Sequence, residues 1–169
     1  LMGSMHTGLE EKRGGFERLA AFYGERSAGG VGLIVTGGVS PNREGWVKPF
    51  AARLTNQRHV RQHMCVTDAV RRGGAKICLQ ILHSGRYGYH PLVVAPSAIK
   101  SPISWFKPRA MSDAKIRSTI KAFARCASLA EQAGYDGVEI MGSEGYLINQ
   151  FIVSHTNQRL DKWGGEYEN

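Results

Sequence analysis

Gly137–Val138–Glu139–Ile140, running straight into Met141–Gly142–Ser143–Glu144–Gly145–Tyr146–Leu147–Ile148–Asn149, is the stretch that decides the fold. A short apolar run that breaks into a polar, glycine-containing turn reads as a buried strand ending at a rim. α/β barrels present their catalytic side chains in this way, at the C-terminal ends of the strands. Tyr146 lies in that turn, where a phenol can face a bound substrate. The plainer reading is a half-buried tyrosine that caps the strand.

Working outward, the same pattern recurs. Val31–Thr36 is a β-branched run ending in Gly37–Gly38, and Ala75–Leu82 is another, preceded by Gly73–Gly74. Val138–Met141 is the third, and Leu1–Met2 reads as the tail of an earlier strand. Near-continuous apolar strands bracketed by glycine suit a parallel sheet buried on both faces. Helical periodicity fills the gaps, over Phe16–Ala28, Gln57–Arg72 and Ser112–Ala133. Ser112 is a natural N-cap, Asp113 suits the first turn, and Gly134 ends the helix. Tyr87–Pro108, with Pro91, Pro96 and Pro102 inside it, reads as a long βα loop. The alternation predicts right-handed crossovers. It leaves open a doubly wound sheet or a piece of a (β/α)8 barrel.

At 169 residues the chain suits one domain. A mean hydropathy of −0.28 fits a soluble globular class. No apolar run approaches the roughly 20 residues a membrane helix needs, and no signal-peptide pattern is visible. Cys65, Cys78 and Cys126 sit at long, unrelated spacings that form neither a disulfide framework nor a metal motif. They predict a reduced, cytoplasmic compartment. The net charge of +8 is compatible with phosphate-bearing ligands. The densest basic cluster, Arg58, Arg61, Arg71 and Arg72, reads as a solvated helix face. Without a recognition motif or an aromatic stacking platform, nucleic acid is not an expected partner.

Six segments together carry a resemblance. They are Leu1–Glu11 (LMGSMHTGLEE), Leu33–Gly38 (LIVTGG), Leu79–Pro91 (LQILHSGRYGYHP), Val94–Ile99 (VAPSAI), Met141–Asn149 (MGSEGYLIN) and Asn157–Gly165 (NQRLDKWGG). In this order they resemble the flavin-dependent Old Yellow Enzyme superfamily (the NADH:flavin oxidoreductases). Within it, the closest likeness is to the bacterial NADPH-dependent 2,4-dienoyl-CoA reductases. The resemblance implies an α/β fold, the N-terminal half of a (β/α)8 TIM barrel with about four parallel strands and flanking helices. Residues 1–169 would then form a partial FMN-binding domain, from the first strand to just past the fourth. A complete barrel takes about 250 residues, so the chain is expected to be truncated at both ends. FMN is the implied cofactor and NADPH the reductant. FAD and an iron–sulfur cluster are expected only in a part beyond residue 169.

The resemblance also implies roles. Gln80, whose carboxamide offers two donors and an acceptor, would read the pyrimidine-like edge of the flavin. Ser4, Met5 and His6 would line the ring, and Gly38 would lie against it. His6 stands where many relatives have Thr or Cys, which leaves its tuning role open. His83 and Arg86 would line the pocket. Classical members hold a substrate carbonyl with a His/His or His/Asn pair at the positions of Met141 and Glu144. Neither residue can reproduce that pair, which agrees with the dienoyl-CoA branch. Tyr146 would be the catalytic acid, keeping its proton at neutral pH because a phenol titrates near 10. His155 stands where relatives can carry an Arg that contacts the acyl-CoA.

The expected activity is reduction of an activated C=C bond of an enoyl- or dienoyl-CoA. The rivals are a general enone reductase of the same superfamily, a non-catalytic fragment exposing two sheet edges, and a doubly wound nucleotide-binding domain. The oligomeric state is not legible, and the isolated chain is expected to bind FMN poorly.

Overall fold

Apolar runs punctuated by glycine become parallel strands, and the amphipathic segments between them become the helices that cover one face. The computed structural model describes residues 1–166. Its elements, in chain order, are α1 (Gly15–Ala28), β1 (Leu33–Val35), α2 (Gln57–Arg72), β2 (Lys76–Ile81), a 3₁₀ turn (Gly85–Tyr87), β3 (Val94–Ala95), β4 (Arg109–Ala110), α3 (Asp113–Gln132), β5 (Gly137–Ile140) and α4 (Leu147–Ile152).

The main sheet runs β1-β2-β5, all parallel. Met2 bridges in parallel to Ile34, so the N-terminal segment adds a fourth position beside β1. The strands thus lie side by side in chain order. Register pairs Ile34 with Ile77, Gln80 with Glu139 and Ile81 with Ile140.

Alternation along β2 sends Ile77, Leu79 and Ile81 to one face and Cys78 and Gln80 to the other. The first three are fully buried in a core that also holds Leu19 and Tyr23 of α1, Val66 and Val70 of α2, and Cys126 and Ala130 of α3. All three long helices therefore cover the same face. A doubly wound sheet would put helices on both faces and reverse its strand order; a barrel wall does neither. Slipping β2 by one residue would turn its three core side chains to the other face. That forfeits roughly 1.5–3 kcal/mol for each, so the register is strongly specified.

Polar groups inside this core are spent on the backbone. Ser27 Oγ donates to the Val70 carbonyl at 2.6 Å and accepts from the Ala75 N–H at 3.0 Å. A Cβ at Gly73 would sit 2.3 Å from that oxygen, so this turn requires glycine. Thr67 Oγ1 donates to the Ala133 carbonyl at 2.6 Å, tying α2 to the end of α3. Asn56 caps α2 and Ser112 caps α3, each accepting a backbone N–H three residues on.

Three features depart from the sequence expectation. β5 is not buried on both faces: Val138 is 38% and Ile140 46% exposed. Among the described residues β5 is a sheet edge, with α3 packed against it. The apolar groove there, about 570 Å³, is lined by Ile120, Phe123, Ile140, Ile152 and Trp163. The long loop after β2 is also ordered by a two-residue parallel pair, Val94↔Arg109 and Ala95↔Ala110. Finally, the turn bearing Tyr146 continues directly into α4. As expected, Arg58, Arg61, Arg71 and Arg72 are exposed, and the three cysteines are free. No helix among the described residues is long and apolar enough to cross a membrane.

Candidate active site

Parallel strands bring their C-terminal ends to one rim, so β1, β2, β5 and the N-terminal segment deliver their following loops to the same place. Two residues singled out from the sequence meet there across 76 positions. Ser4 Oγ donates to Gln80 Oε1 at 2.9 Å. Gln80 Nε2 lies 3.4 Å from both carboxylate oxygens of Glu139. The carboxamide is thus fixed on the face opposite the helices, with its residue 4% exposed.

Ser4, Met5 and His6 are exposed beside it. A Cβ at Gly37 would lie 2.6 Å from the Met5 carbonyl, so glycine there lets the Met5–His6 backbone close onto the end of β1. Gly38 serves a different contact, because a Cβ there would strike the Leu82 side chain at 2.7 Å. His6 is held between Glu10 at 3.3 Å and Glu11 at 3.1 Å, and Lys48 also pairs with Glu11. Its imidazole is therefore committed to carboxylates of its own loop.

Behind the rim the polar residues are buried. His83 is 1% exposed, and its Nδ1 accepts the Gly85 N–H at 3.1 Å. Neutral His83 therefore carries its proton on Nε2. Burial pushes its titration down to about 3. Arg86 is 8% exposed. Both were expected to line a pocket; both are buried, His83 just before the 3₁₀ turn and Arg86 within it.

Tyr146 is half-buried at the N-cap of α4, and its ring meets the Tyr87 ring edge-on at 6.0 Å and 74°. Burial, then the Glu144 charge, then Tyr87 raise its pKa above the ordinary value of 10.0. The group stays a proton carrier throughout the neutral range. Glu144 has φ 59 and is exposed, and Gly145 has φ 77. The two left-handed residues fold the chain back so that Tyr146 follows immediately.

His155 is exposed, three residues past α4. The anchoring there falls to Thr156, whose hydroxyl donates to the Gln150 carbonyl at 2.8 Å. Gln150, which the sequence reading passed over, lies 1% exposed between the two rim turns. Its place inside Leu147–Asn149–Gln150, one turn beyond Tyr146, was the available signal.

The donor set fits the polar edge of a flavin. A fixed carboxamide, a serine hydroxyl and the exposed backbone of Ser4–His6 supply both donors and acceptors beside small residues. Ser4, Met5, His6 and Gln80 are the groups that would hold such a ring.

The comparisons with known proteins agree. The sequence matches the profile of the NADH:flavin oxidoreductase / NADH oxidase family over residues 1–169. It is 38% identical over 172 positions to a metal reductase of Desulforamulus reducens, covering 99% of this chain and 26% of that protein. Its structure resembles an Old Yellow Enzyme homologue from Zymomonas mobilis, with TM-score 0.88 and 29% identity, covering 98% of this chain and 50% of that one. It also resembles a 2-naphthoyl-CoA reductase in complex with 2-naphthoyl-CoA, with TM-score 0.84 and 31% identity, covering 90% and 26%. The chain spans half or less of each of these relatives. The profile match, the barrel-type wall of parallel strands and these likenesses establish that the chain belongs to the NADH:flavin oxidoreductase / NADH oxidase family, the Old Yellow Enzyme group.

Proposed function

We propose that this chain is part of an FMN-dependent NADPH oxidoreductase that reduces the activated C=C bond of a 2,4-dienoyl-CoA. The observation that carries the reading is Tyr146: a protonated, half-buried phenol on the same rim as the Gln80 carboxamide. When bound, FMN supplies a ring that takes hydride from NADPH and gives it to the substrate. Gln80 and Ser4 would hold that ring by its polar edge. Tyr146 holds a proton at its hydroxyl and would deliver it to the substrate carbon that gains charge. The raised pKa makes it a weaker acid but keeps it loaded.

The acyl-CoA class is supported by two observations. Met141 and Glu144 offer no neutral donor pair for a simple enone carbonyl, and one structural relative is a reductase bound to an acyl-CoA. A second reading, a general enone reductase of the same superfamily, is equally compatible with the family match.

The test uses the full-length polypeptide that carries this segment. Tyr146→Phe should slow C=C reduction roughly 10²–10⁴-fold, the usual worth of a general acid. Flavin bleaching by NADPH should be unchanged. Turnover of simple cyclic enones with none of dienoyl-CoA would select the second reading, and an unimpaired Tyr146→Phe would refute both.

A further inference from the structure

We propose that Gln150 is a positioning residue for Tyr146, fastening the turn that carries the phenol to the turn that carries its ring partner. The inference rests on the reading of Tyr146 as proton donor. Gln150 does not touch the reacting atoms; it acts through the backbone on either side of them.

The geometry is specific. Gln150 Oε1 accepts the Arg86 N–H at 3.0 Å, inside the 3₁₀ turn. Its Nε2 donates to the Gly145 carbonyl at 2.6 Å, one residue before Tyr146, and to the Ser84 carbonyl at 3.3 Å. Its own backbone N–H donates to the Tyr146 carbonyl at 2.8 Å. One carboxamide therefore bridges both rim turns, using its acceptor and both of its donors.

The 3₁₀ turn is shaped around it, and the Gly145 turn around the Tyr87 ring. Gly85 has φ 58, and a Cβ there would lie 2.2 Å from Gln150 Oε1. A Cβ at Gly145 would lie 2.5 Å from the Tyr87 hydroxyl. The Tyr87 and Tyr146 rings thus meet because Gln150 holds their backbones at this spacing. A second tie, Leu147 N–H to the His83 carbonyl at 3.0 Å, fixes the helix start but not the Gly145 turn. Sites held within about 0.5 Å depend on such supporting bonds.

The test again uses the full-length polypeptide. Gln150→Met keeps the volume and removes every hydrogen bond of the carboxamide. The expected result is flavin reduction by NADPH within twofold of the parent, and reoxidation by the unsaturated substrate slowed at least tenfold with KM little changed. The double variant with Tyr146→Phe should be no slower than Tyr146→Phe alone, because the two act as one unit. In ¹³C-tyrosine NMR spectra the Tyr87–Tyr146 ring contact should be lost while the Tyr135 ring signals stay in place.

Equal losses in both half-reactions, multiplied losses in the double variant, or a retained ring contact would overturn the proposal. Should Gln150→Met fail to fold, Gln150→Glu serves. Its protonated form can accept from Arg86 N–H and donate to Gly145, so reoxidation should recover as pH falls; a pH-independent loss counts against the proposal. If Tyr146→Phe by itself leaves reoxidation unchanged, the proton-donor reading falls instead, and the ring contact still decides whether Gln150 holds the turn.

Discussion

Acidification should unfold this chain through two buried histidines, and the size of the effect follows from the structure. His63 and His83 are both enclosed, and burial pushes each down to about 3 from 6.5. His63 Nδ1 is engaged with the Tyr135 hydroxyl at 2.9 Å, and His83 Nδ1 with the Gly85 N–H. Protonating His83 would set two N–H groups against each other. Between about 3 and 6.5 the unfolded chain binds protons that the folded chain refuses, so stability rises with pH in that window.

At pH 5 the loss depends on the unfolded value alone, because the folded groups are still neutral there. It is about 2 kcal/mol for each histidine, at roughly 1.4 kcal/mol per pH unit over 1.5 units. Urea unfolding of the purified protein, followed by circular dichroism at pH 7.5, 6 and 5, should show a decline of about 4 kcal/mol. His63→Phe should remove about half of the slope. Stability that is flat from pH 7.5 to 5 would refute the reasoning, since both imidazoles would then be titrating freely in the fold.

Two further outcomes follow. Gly145→Ala places a Cβ 2.5 Å from the Tyr87 hydroxyl at φ 77, and should cost roughly 2–3 kcal/mol in urea unfolding, from left-handed strain and overpacking together. A cost under about 0.5 kcal/mol would show that the turn is not packed as described. The isolated 169-residue chain, which spans half or less of the relatives it matches, should bind FMN poorly by fluorescence titration. Stoichiometric, tight binding would contradict this.

Much of the wall was legible in the sequence because its signals are local and mutually consistent. Periodicity marked α2 as Gln57–Arg72, and Ser112 announced the start of α3 through its side-chain cap. The strands showed through as glycine-bracketed β-branched runs. Four things were not legible, each for a physical reason. The β3–β4 pair is two residues long and has no period to detect. α4 is six residues long and begins behind two left-handed residues, so its signal is that of a turn.

The buried layer of His83, Arg86 and Gln150 consists of residue types that usually mark a surface. His83 and Gln150 are buried here because backbone groups of two irregular turns need partners away from water. At the site, Ser4 and Gln80 were each singled out by the family resemblance but not their mutual contact, and the commitment of His6 to Glu10 and Glu11 depends on a loop conformation that spacing does not reveal.

The most direct test of the central claim is a crystal structure of the full-length polypeptide with FMN bound. The account predicts the Gln80 carboxamide within hydrogen-bond distance of the flavin's polar edge and the Tyr146 hydroxyl facing the ring on the substrate side. A flavin seated away from β2, or a Tyr146 hydroxyl turned into the apolar layer behind α4, would contradict it.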